Sequence, residues 1–456
     1  MIRNKPLDFW KPAIRLGFPV ALQNLLMSSA GMVDTLMIGM LGDVPVAAVG
    51  MASQWAWLMH IFFFGISSGG AVFIAQYWGA KDRDGILRTY GFLLMGLVSL
   101  AFAMFLFSLL FPARVIGIFS NDADAIKTGV TYLRYACFSY LALALNQVFS
   151  TVLRSTEQVK LPLYSSIASV AVNLILNYGL IFGKLGLPAM GIAGAGLATA
   201  ISAWIGTTTV LLLSICKRNI LISPLRKIFS FSKPFFAHYT RITLPAIVNE
   251  IFWAVGTMGY NIVFGRLGTL QFAAITIFRT VDGVFFSFYI GFCHACAVLV
   301  GREIGGGRIK EATLYADRFT VAMPLFSILI GSLAIASRSV FIPLFNISPD
   351  VKQMAMTIIL LSALNLPIRN ISFITICGVF RPGGDTRIGM IYDLIAVWLI
   401  ALPATAISGL VLKLDFTVVF AVMLIAEDWP KTALCIHRLR SRAWIQPVVE
   451  NAELPA

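Results

Sequence analysis

Residues 33–42 read VDTLMIGMLG, and residues 259–268 read GYNIVFGRLG. The likeness extends without a gap over 15–79 and 241–305, at a constant offset of 226 residues. Gly39 and Gly42 coincide with Gly265 and Gly268, whereas Asp34 is replaced by a tyrosine in the second copy. Two copies of one long apolar unit are typical of membrane transporters, in which the substrate path lies between the copies.

The composition indicates that most of the surface faces lipid. Of 456 residues, 58% are hydrophobic and only 12% are charged, and the mean hydropathy is +0.85. A soluble domain carries roughly a quarter charged residues. The net charge of +14 lies in alternate loops and the tails rather than on one face. This is the topology signal of a membrane protein, so a lipid bilayer and no nucleic acid is the expected partner.

The apolar stretches predict the number of membrane spans. Six spans in each copy is an even number, so the copies share one orientation and are related by a pseudo-two-fold axis along the membrane normal. The predicted fold is therefore an all-α polytopic membrane protein with about twelve transmembrane helices in two six-helix lobes. The predicted spans, each of about 20 residues or more, are 14–41, 48–76, 90–112, 128–150, 162–183, 191–216, 241–266, 271–300, 312–336, 352–378, 388–411 and 416–436.

Charge and polarity place the boundaries between the parts of the chain. We predict an N-lobe at 1–216, a cytoplasmic linker at 217–240, a C-lobe at 241–437 and a cytoplasmic tail at 438–456. The basic loops alternate along the chain, and the positive-inside rule puts both termini in the cytoplasm. No cleavage site follows a short apolar core, so the first apolar stretch is expected to be retained as a span. The expected location is the cell inner (plasma) membrane.

A second echo of the repeat concerns two short polar turns. Residues 153–160, LRSTEQVK, match residues 380–387, FRPGGDTR, at an offset of 227. Each turn carries an arginine, an acid and a closing base. One interpretation is a charge latch between helix ends that is remade as the lobes rock. The other is a solvated turn whose charge only follows the positive-inside rule, and the sequence leaves both open.

Several short motifs resemble the multidrug and toxic compound extrusion (MATE) family. They cover nearly the whole chain in the family's order: VDT at 33–35, QYWGAK at 76–81, LRS at 153–155, GIAGAG at 191–196 and GGDT at 383–386. The resemblance implies an ion-coupled multidrug efflux antiporter. Such a protein exports amphipathic, mostly cationic small-molecule drugs in exchange for protons, or sodium, by alternating access of two lobes. We expect the chain to act as a monomer.

The resemblance also assigns roles to individual residues. Asp34 matches a first-span acid that couples protons or ions, and Glu250 matches a seventh-span acid that binds cations. Asn173 and Asn177 stand in a fifth-span pattern where many relatives have an acid at the second site. These four residues form the expected proton-coupling set. Asn370 stands where sodium-linked members tend to have Asp, so proton coupling is favoured, with a sodium-coupled exporter or a lipid-linked-substrate flippase as alternatives.

Elementary electrostatics supports a role for Asp34. An ionised side chain in the bilayer core costs several kcal/mol unless it is paired or hydrated, so burial there favours the neutral acid. Asp34 is thus either a protonation switch or a structural acid bonded to Asn173 or Asn177. Pro19 precedes it in the same span and predisposes the helix to bend. We hypothesise that protonation of Asp34 shifts this bend; a static kink at Pro19 is the alternative.

The second copy holds further charged residues in apolar surroundings. Glu250 is either a second protonation site or cation contact, or a paired structural acid. Arg279 and Asp282 lie three residues apart and can meet on one helical face as a neutralising pair. If Arg279 or Arg369 instead faces an open cavity, anionic or zwitterionic substrates become plausible. Glu250, Arg279, Asp282 and Asn370 form the expected lining of the substrate cavity.

Enzymatic and cofactor-dependent functions are not expected. The chain has four histidines and shows neither a nucleophile motif nor a phosphate-binding loop. Cys293 and Cys296 have a metal-like spacing, but the other half of a zinc site is missing, so packing within a helix is the expected role. We predict no metal site and no cofactor other than the coupling proton (or Na+).

Overall fold

The computed structural model describes residues 9–120, 122–230, 232–342 and 348–449. Within these ranges the chain is helical apart from its turns, and its one β-bridge joins Gly384 to Ile445. The prediction of an all-α protein is therefore confirmed.

The first half of the chain forms nine helices within the described residues. Their bounds are α1 Trp10–Gly39, α2 Asp43–Ala80, α3 Arg83–Leu110, α4 Pro112–Gly117, α5 Ala123–Ala136, α6 Ser139–Ser155, α7 Lys160–Phe182, α8 Ile192–Cys216 and α9 Leu225–Ile228.

The second half repeats the pattern with longer helices and three π-helical stretches. The α-helices are α10 Lys233–Leu267, α11 Thr269–Gly305, α12 Ile309–Phe341, α13 Pro349–Phe373, α14 Thr386–Leu394, α15 Leu402–Ala406 and α16 Phe416–Arg440. The π-helical stretches are Ile374–Phe380, Ile395–Ala401 and Ile407–Val411, so α13 to Phe380 and α14 to Val411 are two continuous spans.

Helices cover all twelve predicted stretches, and up to eleven of these are long and apolar enough to cross a membrane. Ten stretches of the described chain are long and apolar enough to cross a membrane, and the α5–α6 pair makes an eleventh. The twelfth, α16, carries Glu427, Asp428 and Lys431 near its centre, which lowers its mean hydropathy. Charged residues at this depth normally face the interior of a helix bundle, so we expect one face of α16 to lie away from lipid.

The fourth span differs from its prediction as one continuous helix. A bend of 50° separates α5 from α6. At the break, two side chains donate hydrogen bonds to backbone carbonyl groups. Ser139 Oγ donates to the Ala136 carbonyl at 2.7 Å, and Trp204 Nε1 donates to the Phe138 carbonyl at 3.0 Å. Such local donors compete with the helical ladder, which explains a bend that hydropathy cannot predict.

The described residues form two compact units. The N-unit comprises Leu22–Ile74 and Asp82–Ala237; the C-unit comprises the residues up to Ala21, Ala75–Lys81 and those from His238 onward. The division after Ala237 falls inside the predicted linker, 217–240. The predicted lobe boundaries themselves stay a prediction.

Paired glycines allow close helix packing within the C-unit. Gly79 is the last residue but one of α2 and Gly305 ends α11, and the two are partners in the repeat. A Cβ at Gly79 would lie 1.8 Å from the Arg302 carbonyl oxygen, and one at Gly305 would lie 1.9 Å from that of Gln76. Backbone therefore meets backbone at both positions, and only glycine fits without a shift.

The second polar turn is packed rather than solvated. Arg381 is 4% exposed and Asp385 is 3% exposed, and Arg438 Nη2 lies 2.7 Å from Asp385 Oδ2. Burial raises the pKa of Asp385, although Arg438 opposes this shift. The interpretation of residues 380–387 as a solvated turn is therefore wrong, while the latch that is remade during transport stays a prediction.

Candidate functional site

Asp34 in α1 meets both predicted asparagines of α7 in the N-unit. The amide of Asn177 donates from Nδ2 to Asp34 Oδ1 at 2.7 Å. With its amide nitrogen turned toward the acid, Asn173 lies 2.8 Å from the same oxygen. Asn173 and Asn177 are 7% and 1% exposed, and their spacing of four places them on one face of α7.

The surroundings hold this arrangement in place without a counter-charge. Ser169 Oγ donates to the Ser202 carbonyl at 2.9 Å, and Ser165 Oγ donates to the Gly206 carbonyl at 2.7 Å, so α7 is fastened to α8. Among the described residues, no lysine or arginine forms an ion pair with Asp34. The acid therefore rests on neutral amide donors alone.

Pro19 lies within α1, which continues as a single helix from Trp10 to Gly39. The division between the two compact units crosses this helix just beyond the proline, between Ala21 and Leu22. The dependence of a bend at Pro19 on the protonation of Asp34 stays a prediction.

Equivalent arginines of the repeat bind different partners. Arg154 Nη2 donates to Gln23 Oε1 at 2.6 Å in the N-unit, and Gln23 Nε2 donates to Ser166 Oγ at 2.7 Å. Arg381 Nη2 instead lies 2.7 Å from Glu250 Oε1 in the C-unit, with side chains 5% and 15% exposed. Glu250 is thus a buried, paired acid.

A cluster around Lys431 brings three charged side chains together in the C-unit. Lys431 Nζ lies 3.3 Å from Asp393 Oδ1 and 3.4 Å from Glu427 Oε1. The second oxygen of each acid accepts another donor: Asn249 Nδ2 at 3.0 Å on Asp393, and the Tyr260 hydroxyl at 2.9 Å on Glu427. We call these five residues the Lys431 cluster.

Asp428 lies beside this cluster on α16 and is 4% exposed. Asn365 Nδ2 of α13 donates to Asp428 Oδ2 at 2.5 Å. The other end of that amide accepts from Trp429 Nε1 at 3.2 Å, which fixes its orientation. Asp428 therefore resembles Asp34 in accepting a hydrogen bond from an asparagine, although Asp34 is only partly buried.

The predicted pairing of Arg279 with Asp282 is wrong. Asp282 pairs with Arg369 of α13, whose Nη1 lies 3.2 Å from Asp282 Oδ2. The guanidinium of Arg369 also lies 5.3 Å from the ring centre of Phe286. Arg279 is exposed. Asp282 therefore pairs with an arginine from another helix and not with Arg279, which the spacing of three residues had suggested.

The residues predicted to line a substrate cavity are not joined to one another. Asn370 is fully buried and donates from Nδ2 to Ser327 Oγ at 2.7 Å. Its own Oδ1 is buried without a hydrogen-bond partner. No hydrogen bond or ion pair connects Glu250, Arg279, Asp282 and Asn370 to each other, and the structure leaves a shared cavity role untested.

Sequence analysis missed Asp393, Glu427, Asp428 and Lys431. Two signals could have found them. Three charges stand within the predicted span 416–436, and Glu427 precedes Lys431 by four residues, the spacing of a helical ion pair. The ion pair between Lys431 and Asp393 could not have been predicted from the sequence, because only the packing of helices brings α14 and α16 together.

Equivalent hydrogen bonds extend the repeat to the last spans. Thr207 Oγ1 donates to the Ala142 carbonyl at 2.8 Å, and Thr432 Oγ1 donates to the Ile368 carbonyl at 3.0 Å. The threonines match at an offset of 225. At this offset Ser202, Ala203 and Gly206 of α8 correspond to Glu427, Asp428 and Lys431 of α16. The charges are thus an addition peculiar to the C-unit.

Metal-ligand clusters are not found among the described residues, since no group of three or more His, Cys, Asp or Glu side chains could hold an ion. Cys296 is buried in α11, where its Sγ donates to the Gly378 carbonyl at 3.2 Å. The expected packing role of this cysteine agrees with that contact.

A protein-family model described as MatE matches residues 19–179 and 245–407. The two matched segments cover most of the chain and correspond to the two copies of the repeat.

Similar proteins of known sequence span nearly the same length. An uncharacterized transporter, YisQ, of Bacillus subtilis is 26% identical over 458 residues, covering 97% of each chain. A probable multidrug resistance protein, NorM, of Thermotoga maritima is 26% identical over 403 residues, covering 86% of this chain and 84% of that protein. Among solved structures, a MATE protein in a bent conformation superposes with a TM-score of 0.84 at 15% identity over 94% of this chain and 95% of that one. This last likeness shows the shared fold.

Proposed function

The chain belongs to the MatE family, and we propose that this transporter is a multidrug efflux antiporter that exchanges amphipathic, mostly cationic compounds for protons by alternating access. Its relatives include proteins named for multidrug resistance. We place it in the cell inner (plasma) membrane, where the positive-inside rule favours both termini in the cytoplasm.

The site around Asp34 supports proton coupling more than any other feature. Asn177 donates to Asp34 at 2.7 Å, and an amide can donate equally to a carboxylate or to the carbonyl oxygen of a carboxylic acid. Gaining or losing a proton therefore requires no new partner. Among the residues that the structure describes, no base forms an ion pair with the charge that appears on deprotonation, so its cost depends on how much water or cationic substrate reaches the site.

The choice of proton over sodium rests on the neutral residues near the acids. Asn173 and Asn177 flank Asp34, and Asn370 stands where sodium-linked members of the family tend to carry Asp. Sodium, like other hard cations, needs several oxygen ligands around it. Asp34 supplies one carboxylate and the Asn177 amide presents its nitrogen to that acid, whereas a proton needs only one carboxylate oxygen.

A cationic substrate fits the balance of charge in the C-unit. Asp393, Glu427 and Asp428 provide three acids near a single lysine, Lys431. The Glu250–Arg381 pair next to them is already neutral. The excess negative charge favours cations over anions within this unit.

Transport of a cationic dye by the purified protein in liposomes tests the proposal. Efflux is measured under a proton gradient alone and under a sodium gradient alone, for wild type, Asp34→Asn and Asp124→Asn. Asp124 is an exposed acid in the first turn of α5 and serves as the matched control. We expect efflux with protons only, a loss of at least tenfold in Asp34→Asn, and no change in Asp124→Asn. Efflux driven by sodium alone would overturn proton coupling.

A further inference from the structure

A cavity of about 670 Å³ lies at the end of the C-unit that carries the packed turn 380–387. Three segments form its walls: 238–245 near the start of α10, 384–388 at the start of α14, and the end of α16 with the tail at 446–448. Its volume falls within the range of small-molecule sites, roughly 300–1,000 Å³. We call it the tail cavity. Its described lining includes no member of the proton-coupling set or of the Lys431 cluster, so the proposed transport function does not account for it.

The lining of the tail cavity carries more positive than negative charge. Three arginines line it, and Asp385 is the one acid among the described lining residues. Arg438 neutralises this acid, because its Nη2 and Nε lie 2.7 and 2.9 Å from Asp385 Oδ2. Arg241 and Arg387 are exposed and form no ion pair or side-chain hydrogen bond with any residue that the structure describes. Two guanidinium charges therefore remain for a ligand.

A hydrogen bond between their neighbours holds these two arginines close along the backbone. The Thr386 hydroxyl donates to the Ile242 carbonyl at 2.8 Å. Thr386 directly precedes Arg387, and Ile242 directly follows Arg241, so both arginines extend from segments that are bonded to each other. A guanidinium group binds phosphate oxygens through two parallel N–H donors, which is why arginine is favoured at phosphate sites. The pair has the chemistry to bind a phosphate group.

The tail wall of the cavity is fixed by contacts that do not involve this pair. Gln446 N donates to the Gly383 carbonyl at 2.7 Å. Gln76 joins the turn to the tail, because its Nε2 donates to the Pro382 carbonyl and its Oε1 accepts from Val448 N, each at 2.8 Å. The wall is therefore in place before any ligand binds, and neither exposed arginine is needed to hold it.

The α10 side of the cavity adds apolar surface. Leu244 lines the cavity, is 52% exposed and lies three residues after Arg241, on the same face of the helix and one turn further into the span. Pro245 and Ile388 line the cavity as well. A ligand that binds Arg241 through its phosphate thus has room for an apolar portion beside Leu244. An anionic phospholipid has such a portion, and basic pockets between spanning helices on the cytoplasmic side bind the headgroups of such lipids.

We propose that the tail cavity binds the phosphate group of an anionic phospholipid of the cytoplasmic leaflet, with Arg241 and Arg387 on the phosphate and Leu244 beside the acyl chains. The choice of leaflet rests on the cytoplasmic placement of the tail under the proposed function, whereas the binding itself is independent of proton coupling. Phosphatidylglycerol has the required chemistry, a negative phosphate diester with two chains. Phosphatidylcholine adds an ammonium group, which the two arginines repel.

Lipid binding to the purified full-length protein tests the assignment. Protein in neutral detergent is titrated with phosphatidylglycerol or phosphatidylcholine, and bound lipid is counted by native mass spectrometry. The cavity variant is Arg241→Gln with Arg387→Gln. The repeat supplies a matched control, Arg15→Gln with Lys160→Gln, which removes the equivalent exposed charges outside the tail cavity.

The comparison of the two double variants separates a site from general attraction to a basic surface. Wild type and the control variant should bind phosphatidylglycerol in preference to phosphatidylcholine, and the cavity variant should lose affinity for phosphatidylglycerol by about tenfold or more. Equal losses in the two double variants would overturn the proposal, and so would equal binding of the two lipids by wild type.

A second variant keeps every charge and changes only the space in the cavity. Leu244→Trp enlarges an exposed lining side chain, so it should weaken phosphatidylglycerol binding while the melting temperature stays that of wild type. If the cavity variant fails to fold, this variant decides, and undiminished lipid binding in it would overturn the proposal.

Competition with soluble phosphates identifies the source of the phosphate group. Glycerol 3-phosphate is the headgroup without acyl chains, and inorganic phosphate lacks the glycerol as well. We expect both to displace phosphatidylglycerol only when they are in large excess over the lipid. Displacement at equal concentration would overturn the assignment to a lipid, because the acyl chains would then add nothing to binding. Each of these outcomes leaves the proposed proton coupling intact.

Discussion

Replacing Arg381 by glutamine should destabilise the protein strongly, because it strands a buried acid. Arg381 Nη2 lies 2.7 Å from Glu250 Oε1, and the two side chains are only 5% and 15% exposed. Removing one partner of a buried ion pair costs about 3–5 kcal/mol, since the remaining charge has no compensation. At this burial, solvent screening reduces the figure little.

The repeat supplies a matched control for this prediction. Arg154 is the partner of Arg381 at an offset of 227, but it donates to the neutral Gln23 at 2.6 Å. Arg154→Gln removes a hydrogen bond from a charged donor, worth about 1.5–3 kcal/mol, and leaves no stranded acid. The double variant Arg381→Gln with Glu250→Gln should likewise recover most of the loss, because two neutral amides replace the ion pair.

The free energy of unfolding is measured in mixed micelles by denaturant titration for wild type, both single arginine variants and the double variant. We expect Arg381→Gln to lose the most. A loss in Arg381→Gln no larger than that in Arg154→Gln would refute the reasoning. So would a double variant no more stable than Arg381→Gln alone, since the cost would then lie in packing and not in charge.

Two further substitutions probe packing and ion choice. Gly305→Ala would set a methyl 1.9 Å from the Gln76 carbonyl oxygen and should cost at least about 1–3 kcal/mol of unfolding free energy by overpacking. Gly283→Ala in the same helix meets no atom within 4 Å and should gain up to about 1 kcal/mol from helix propensity; equal effects in the two would contradict the packing. Asn370→Asp places an acid beside Ser327 in a fully buried position. Sodium should then raise the melting temperature of this variant but not of wild type, and an unchanged melting temperature would argue against a latent sodium position.

Local sequence patterns predicted the features that are determined within a single helix or by the match between the two copies of the repeat. Hydropathy predicts the helices of all twelve stretches except for the charged centre of α16, and the hydrogen bond between Asp34 and Asn177 was one of the two expected roles of Asp34. The partner of Asp282 was missed because the i, i+3 rule sees only Arg279 on the same helix. Arg369 reaches Asp282 from α13, and only the packing of helices determines that contact.

The Lys431 cluster shows the same limit more clearly. Its members come from α10, α14 and α16, and no sequence spacing links Asn249 or Asp393 to Lys431. A comparison of the two copies of the repeat could have identified the charged members, because α8 carries Ser202 and Gly206 at the positions where α16 carries charged residues. This replacement of small residues by charged ones can be recognised only after α8 has been aligned with α16. The equivalent hydrogen bonds of Thr207 and Thr432, which only the structure shows, fix that alignment.

The central claim is that outward movement of a cation is coupled to inward movement of protons through Asp34. It is tested most directly by recording luminal pH in dye-loaded proteoliposomes, in sodium-free buffer and without an imposed pH gradient. The account predicts that dye efflux alone lowers the luminal pH in wild type, and that Asp34→Asn shows no such change. An unchanged luminal pH during dye efflux by wild type, or equal proton movement in Asp34→Asn, would contradict it.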